Sequence, residues 1–117
     1  MRSRRRVRNP ATTAYRFELD LAALNFCDVR VLAEQGHVID FTVLYLTTIG
    51  DVLFPVMRYD TAHGDPHRDT LEWDGHVIDK YWMPRTPRGV ALDEAIREVK
   101  SAWESMLADF LRRRPIR

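Results

Sequence analysis

The sequence predicts an α+β domain: a curled antiparallel meander of five or six strands packed on one long C-terminal helix. Three observations predict it. From Thr13 to Trp82 apolar and polar residues alternate in successive runs, the period of half-buried strands. Short turn signals separate these runs, which suits antiparallel neighbours. From Leu92 to Phe110 the spacing changes to that of an amphipathic helix.

The elements follow in order. Thr13 to Asp20 sets Tyr15, Phe17 and Leu19 on one side and Arg16, Glu18 and Asp20 on the other. Leu21 to Leu24 reads as a short turn or bend. Cys27, Val29, Val31 and Ala33 then form an apolar face, up to the turn at Gly36. Val38 to Thr48 is a long strand with Ile39, Phe41, Val43 and Tyr45 on one side. After Ile49-Gly50, Asp51 to Asp60 returns with Val52, Phe54 and Val56 inward. Pairing Thr48 with Asp51 would set Tyr45 opposite Phe54 and Val43 opposite Val56. On that phase Arg58 and Asp60 share the face of Phe54 and Val56.

Asp74-Gly75 is the preferred dipeptide of a two-residue hairpin turn. It pairs Trp73 with His76, Leu71 with Ile78, Asp69 with Lys80 and His67 with Trp82. The face of Leu71, Trp73, Ile78 and Trp82 is expected to be core, with Asp69 and Lys80 a charged pair on it. Pro84 and Pro87 end the strand. Leu92, Ile96, Val99, Trp103, Met106 and Phe110 then make a helix of about twenty residues, stopped by Pro115. A meander sheet cannot bury its apolar face alone, and this helix is the natural cover. A single domain is expected over 11–114, between a basic tail at 1–10 and a basic end at 115–117.

Composition narrows the function classes. The 117 residues carry 45% hydrophobic residues, enough for a core without metal or disulfide. No apolar run is long enough to span a bilayer, and no apolar stretch of signal-peptide length follows the basic start. The lone Cys27 cannot form an internal disulfide, so a cytoplasmic setting is expected. It lies on an apolar strand face, as a buried, inert thiol would. His37 and His76 flank turns and are expected in solvent. No glycine-rich phosphate loop and no serine nucleophile context occurs.

The formal net charge of +1 conceals a segregated distribution. Residues 1–10 carry five arginines and no acid; residues 112–117 carry four. The middle holds nine bases against all 17 acids. Arg4, Arg5, Arg6, Arg112, Arg113 and Arg114 are therefore candidate phosphate contacts, for RNA or DNA. Equally, the ends could serve only as solvated tails.

One segment carries more chemistry than a connection needs: Arg58-Tyr-Asp-Thr-Ala-His-Gly-Asp-Pro-His-Arg-Asp69. Three readings compete. His63 and His67 could act as general base and acid, with Arg58 or Arg68 stabilising developing phosphate charge and Asp60 beside them. Metal-independent RNA cleavage requires such a set. His63, His67 and Asp60 or Asp69 could instead ligate a metal, but Gly64 and Pro66 oppose the helix that His-x-x-x-His spacing needs, so no metal is expected. Third, the segment could be structural, with Asp60 capping the turn and Asp69 paired to Lys80.

Phe54 to Asp69 resembles the core segment of a family of small uncharacterised prokaryotic proteins carrying a domain of unknown function. The shared pattern is R-Y-D-T-A-H-G-x-P-H-R-D, followed by a short hairpin and an amphipathic helix, over roughly residues 38–111. In layout alone the chain is also similar to small toxin components of toxin–antitoxin pairs. The resemblance implies a site within 54–69 but no activity. The leading reading is a small nucleic-acid-associated protein, with metal-independent RNA cleavage as the candidate activity. The other is a non-catalytic protein- or nucleic-acid-interaction module of a multi-protein or mobile-element system, whose tails or sheet edge dock a partner. No cofactor is expected, and neither the oligomeric state nor the partner follows from the sequence.

Overall fold

The computed structural model describes residues 10–62 and 64–116. Six strands run in sequential order: β1 (Ala11–Glu18), β2 (Asn25–Glu34), β3 (His37–Ile49), β4 (Val52–Asp60), β5 (His67–Leu71) and β6 (Val77–Trp82). Every neighbouring pair is antiparallel and the sheet is open, with β1 and β6 at its edges. One helix, α1 (Arg88–Arg112), follows. The expected α+β meander with a C-terminal helix is therefore what the chain forms.

The β2–β3 connection shows the local logic. Glu34 pairs His37, leaving Gln35 and Gly36 as a two-residue loop with φ of +50° and +80°. Left-handed backbone at both positions matches the strand twist, and glycine adopts it without a steric penalty.

The helix packs on the face built from Cys27 and Val29 of β2, Phe41, Val43 and Tyr45 of β3, and Met57 and Tyr59 of β4. From α1 it contributes Ala91, Leu92, Ala95, Val99, Met106 and Phe110, the stripe that helical spacing predicted. Each large side chain so buried contributes about 1.5–3 kcal/mol. Burial pushes the Cys27 thiol up to about 12, so it is an inert core residue. His37 and His76 are exposed, as expected. Among the described residues no helix is long and apolar enough to cross a membrane.

Two strand irregularities change what the sequence pattern implied. The β3–β4 turn is Gly50-Asp51, since Ile49 pairs Val52. A bulge then absorbs Val56, so Tyr45 meets Met57 and Val43 meets Tyr59, in place of Phe54 and Val56. One extra residue reverses the phase of everything after it. Met57 and Tyr59 consequently face the helix, while Arg58 and Asp60 point to the opposite, open face. The expectation that they share the inward face is corrected by that bulge.

In the second hairpin His67–Trp82 and Asp69–Lys80 pair as expected, but a shift after Thr70 sets Leu71 opposite Val77, not Ile78. The connection is a tighter-bonded three-residue loop. Gly75 N donates to Glu72 O at 2.9 Å, Glu72 N donates to His76 O at 2.8 Å, and Gly75 has φ of +91°. Trp73 thus leaves the ladder and stacks on Phe110, centroids 4.5 Å apart. Its Nε1 donates to the Phe110 carbonyl at 2.8 Å. Leu71 is buried, but Ile78 and Trp82 are 48% and 46% exposed, so the face of Ile78 and Trp82 is not the core. The helix lies over β3 and β4 and does not reach β6.

Candidate site on the open sheet face

Cross-strand pairing lays out the open face as two adjoining rows. One runs Arg16, Asp28, Leu44, Arg58, Asp69, Lys80 across all six strands; the other runs Ala14, Arg30, Thr42, Asp60, His67, Trp82. Opposite charges are thus direct neighbours in the first row, the arrangement that favours cross-strand ion pairs.

Two carboxylates, one imidazole and two cations converge where β4, β5 and β6 meet. Asp69, 1% exposed, accepts from Lys80 Nζ at 2.7 Å and from Arg58 Nη2 at 2.8 Å. Burial opposes the charge of its carboxyl, but the Lys80 and Arg58 hydrogen bonds outweigh burial and hold it below the ordinary carboxylate range. His67, 2% exposed, donates from Nδ1 to the Asp65 carbonyl at 3.2 Å. Its Nε2 lies 2.9 Å from Asp60 Oδ1 and 3.6 Å from Asp69 Oδ2. Trp82 covers the ring, with centroids 4.9 Å apart. The Arg58 Nε is left without a hydrogen-bond partner, 3.3 Å from Asp60 Oδ2 but poorly aligned with it.

The ligand atoms of Asp60, His67 and Asp69 lie within 4.8 Å of one another, close enough for a metal ion. The charges do not suit one. Both Asp69 oxygens are held by Lys80 and Arg58, and a divalent cation would sit beside those two resident cations without compensation.

The rest of the segment is also tied into the fold. Asp60 Oδ1 accepts from Ala62 N at 3.1 Å. Thr61 is buried, accepts from Phe41 N at 3.1 Å and donates to Asp40 at 2.9 Å. Arg88, at the start of α1, donates to Ile39 O at 2.6 Å and to Gly64 O at 2.9 Å. Pro66 O accepts from Met83 N at 2.8 Å. Thr61→Val should therefore cost about 1–2 kcal/mol, because it strands a buried strand amide; a denaturant midpoint equal to wild type would contradict this.

Of the sequence-derived site residues, Arg58, Asp60 and His67 do come together. Arg68 does not: it lies on the helix face and donates to Glu98 of α1 at 2.6 Å. Tyr59 donates to the same carboxylate, and burial, reinforced by Glu98, pushes its phenol up. His63, Arg4, Arg5 and Arg6 lie outside the described residues. At the other end Arg112 pairs with Asp109, Arg113 donates to Glu72 and to Leu71 O, each at 3.1 Å, and the Arg114 guanidinium sits 5.5 Å from the Trp73 ring centroid. Glu98 and Arg88 were missed in the sequence. Glu98 borders the apolar stripe beside Val99, where an acid without a counter-ion on its own helix is the available clue.

Fold and site together define a small α+β sheet domain in which the β4–β5 connection is a hydrogen-bonded clasp. The chain belongs to the family described as Domain of unknown function (DUF7718), whose model matches residues 7–116. Neither a curated protein nor a solved structure matches it significantly.

Proposed function

We propose that the protein is a nucleic-acid-associated binding module that performs no chemistry at residues 58–69. The observation that carries this is the closure of the network: His67 is 2% exposed, and both ring nitrogens are engaged. A general acid or base must reach the proton it transfers, and this ring is walled off by Trp82, Asp60 and Asp69. Arg68, the second candidate for stabilising phosphate charge, is on the other side of the sheet, bound to Glu98. Association with nucleic acid is supported by the nine arginines gathered at the two ends of an otherwise acidic chain.

The rival reading is metal-independent RNA cleavage by His63 and His67. Labelled RNA and single-stranded DNA, incubated with the full chain with and without EDTA, separate the two. We expect retarded bands and no fragments. Fragments that persist in EDTA and disappear in both His63→Ala and His67→Ala would establish the cleavage reading instead. Neither retardation nor fragments would remove nucleic acid from the function altogether.

A further inference from the structure

The open face has a second feature, adjoining the clasp. Two shallow grooves of about 530 and 520 Å³ lie side by side over β1–β3, the first extending to Asp60, Thr61 and Ala62 at the end of β4, and they share Arg30 and Thr42. The row pairing explains them. Arg30 stands between Ala14 on β1 and Thr42 on β3, so a long side chain is flanked by two short ones. The combined depression runs from Thr12 to Arg16 along β1, about 13 Å at the usual rise of a strand.

Arg30 is exposed and, among the described residues, forms no salt bridge. The carboxylates around it are already committed. Asp28 is held by Arg16 at 2.7 Å, Asp40 by Arg88 and Thr61, and Asp60 by His67. The groove therefore presents a spare guanidinium, with Arg16 at one end and the hydroxyls of Thr12 and Thr42 beside it. Among the described residues no other element covers this face; α1 packs on the opposite one. The sequence leading into β1 adds charge of the same sign, since Arg2, Arg4, Arg5, Arg6 and Arg8 precede Thr12 by ten residues or fewer.

We infer that this groove, centred on Arg30, is where a single-stranded nucleic acid docks, with a backbone phosphate on the guanidinium. A fixed fork of donors suits phosphate geometry, and hydroxyls at its sides supply neutral hydrogen bonds to the remaining oxygens. Nothing here reads base sequence, so RNA and DNA strands of one length should bind within a few-fold of each other. The inference rests on the nucleic-acid reading above and centres that binding on β1–β3, with Asp60, Thr61 and Ala62 at one border of the groove.

The test is fluorescence anisotropy with a labelled twelve-residue oligouridylate and the matching oligothymidylate, over a salt series, using the full chain. Arg30→Ala should bind about tenfold more weakly than wild type, and the slope of log affinity against log salt should fall by roughly 0.7, the value for one single-strand phosphate contact. Arg97→Ala removes the same charge from the exposed side of α1 and should change neither quantity. Because Arg30 forms no salt bridge among the described residues, circular dichroism of its variant should match wild type. Equal affinity for wild type and Arg30→Ala would overturn the groove while leaving nucleic-acid association intact. An equal loss in both variants would also overturn it, reducing the effect to net charge. Absence of binding by wild type at low salt would overturn both the groove and the broader reading.

Discussion

Asp69→Ala is expected to lower the unfolding free energy by about 3 kcal/mol, while Asp79→Ala, its neighbour on the exposed edge strand, stays within about 0.5 kcal/mol of wild type. Asp69 is 1% exposed and is the common acceptor of Lys80 and Arg58. Deleting it leaves two cations and the His67 ring around a hole. The cost falls at the lower end of the range of about 3–5 kcal/mol for broken buried pairs, because the Lys80 and Arg58 side chains are each 36% exposed and can recover hydration. Urea midpoints at neutral pH would decide it, and equal midpoints for the two variants would show that the clasp carries no stability.

The same residue sets an acid dependence whose sign is fixed. The Asp69 carboxyl is held below its ordinary value in the folded chain, so the folded state binds that proton less readily than the unfolded chain does. Its contribution is complete above the unfolded value of about 4 and is lost as pH falls through the lower folded one. Stability of wild type should decline in that acid window, and Asp69→Ala should lack this part of the decline. A variant whose stability falls in parallel with wild type below pH 4 would contradict the assignment.

Trp73→Ala should cost about 3 kcal/mol, at the lower end of the aromatic-to-alanine range because the ring is only partly buried. Three contacts go together: the stack on Phe110, the Phe54 ring 4.8 Å away and the hydrogen bond to the Phe110 carbonyl. That carbonyl lies in the last turn of α1, where its other donor is the cap amide of Arg113 at 3.1 Å. The loss should therefore be local as well as global. Amide exchange in residues 107–112 should accelerate more than in residues 91–99, and uniform acceleration along α1 would show that Trp73 does not pin the helix end.

The local chain already determines much of this molecule. Alternation in β1, β2 and β3, the turn at Gly36 and the heptad-like stripe from Leu92 to Phe110 are properties of adjacent residues, so strands, helix and their order could be read directly. The crowding of charge in 58–69 was legible too, and so was the Asp69–Lys80 pair, because a hairpin fixes its register within a few residues.

What the sequence pattern could not decide was which face those charges occupy. The bulge at Val56 is one unpaired residue, and it turns Arg58 and Asp60 from the helix side to the open side. Trp73 left its strand for the same kind of reason: a three-residue loop let its ring reach Phe110, thirty-seven positions along the chain. Glu98 met Tyr59 and Arg68 only once α1 was laid across β4. Arg30 acquired its isolation from Ala14 and Thr42 on two other strands. Periodicity is a short-range property that survives in one dimension; burial, pairing and solitude of a charge are set by neighbours that only folding brings together.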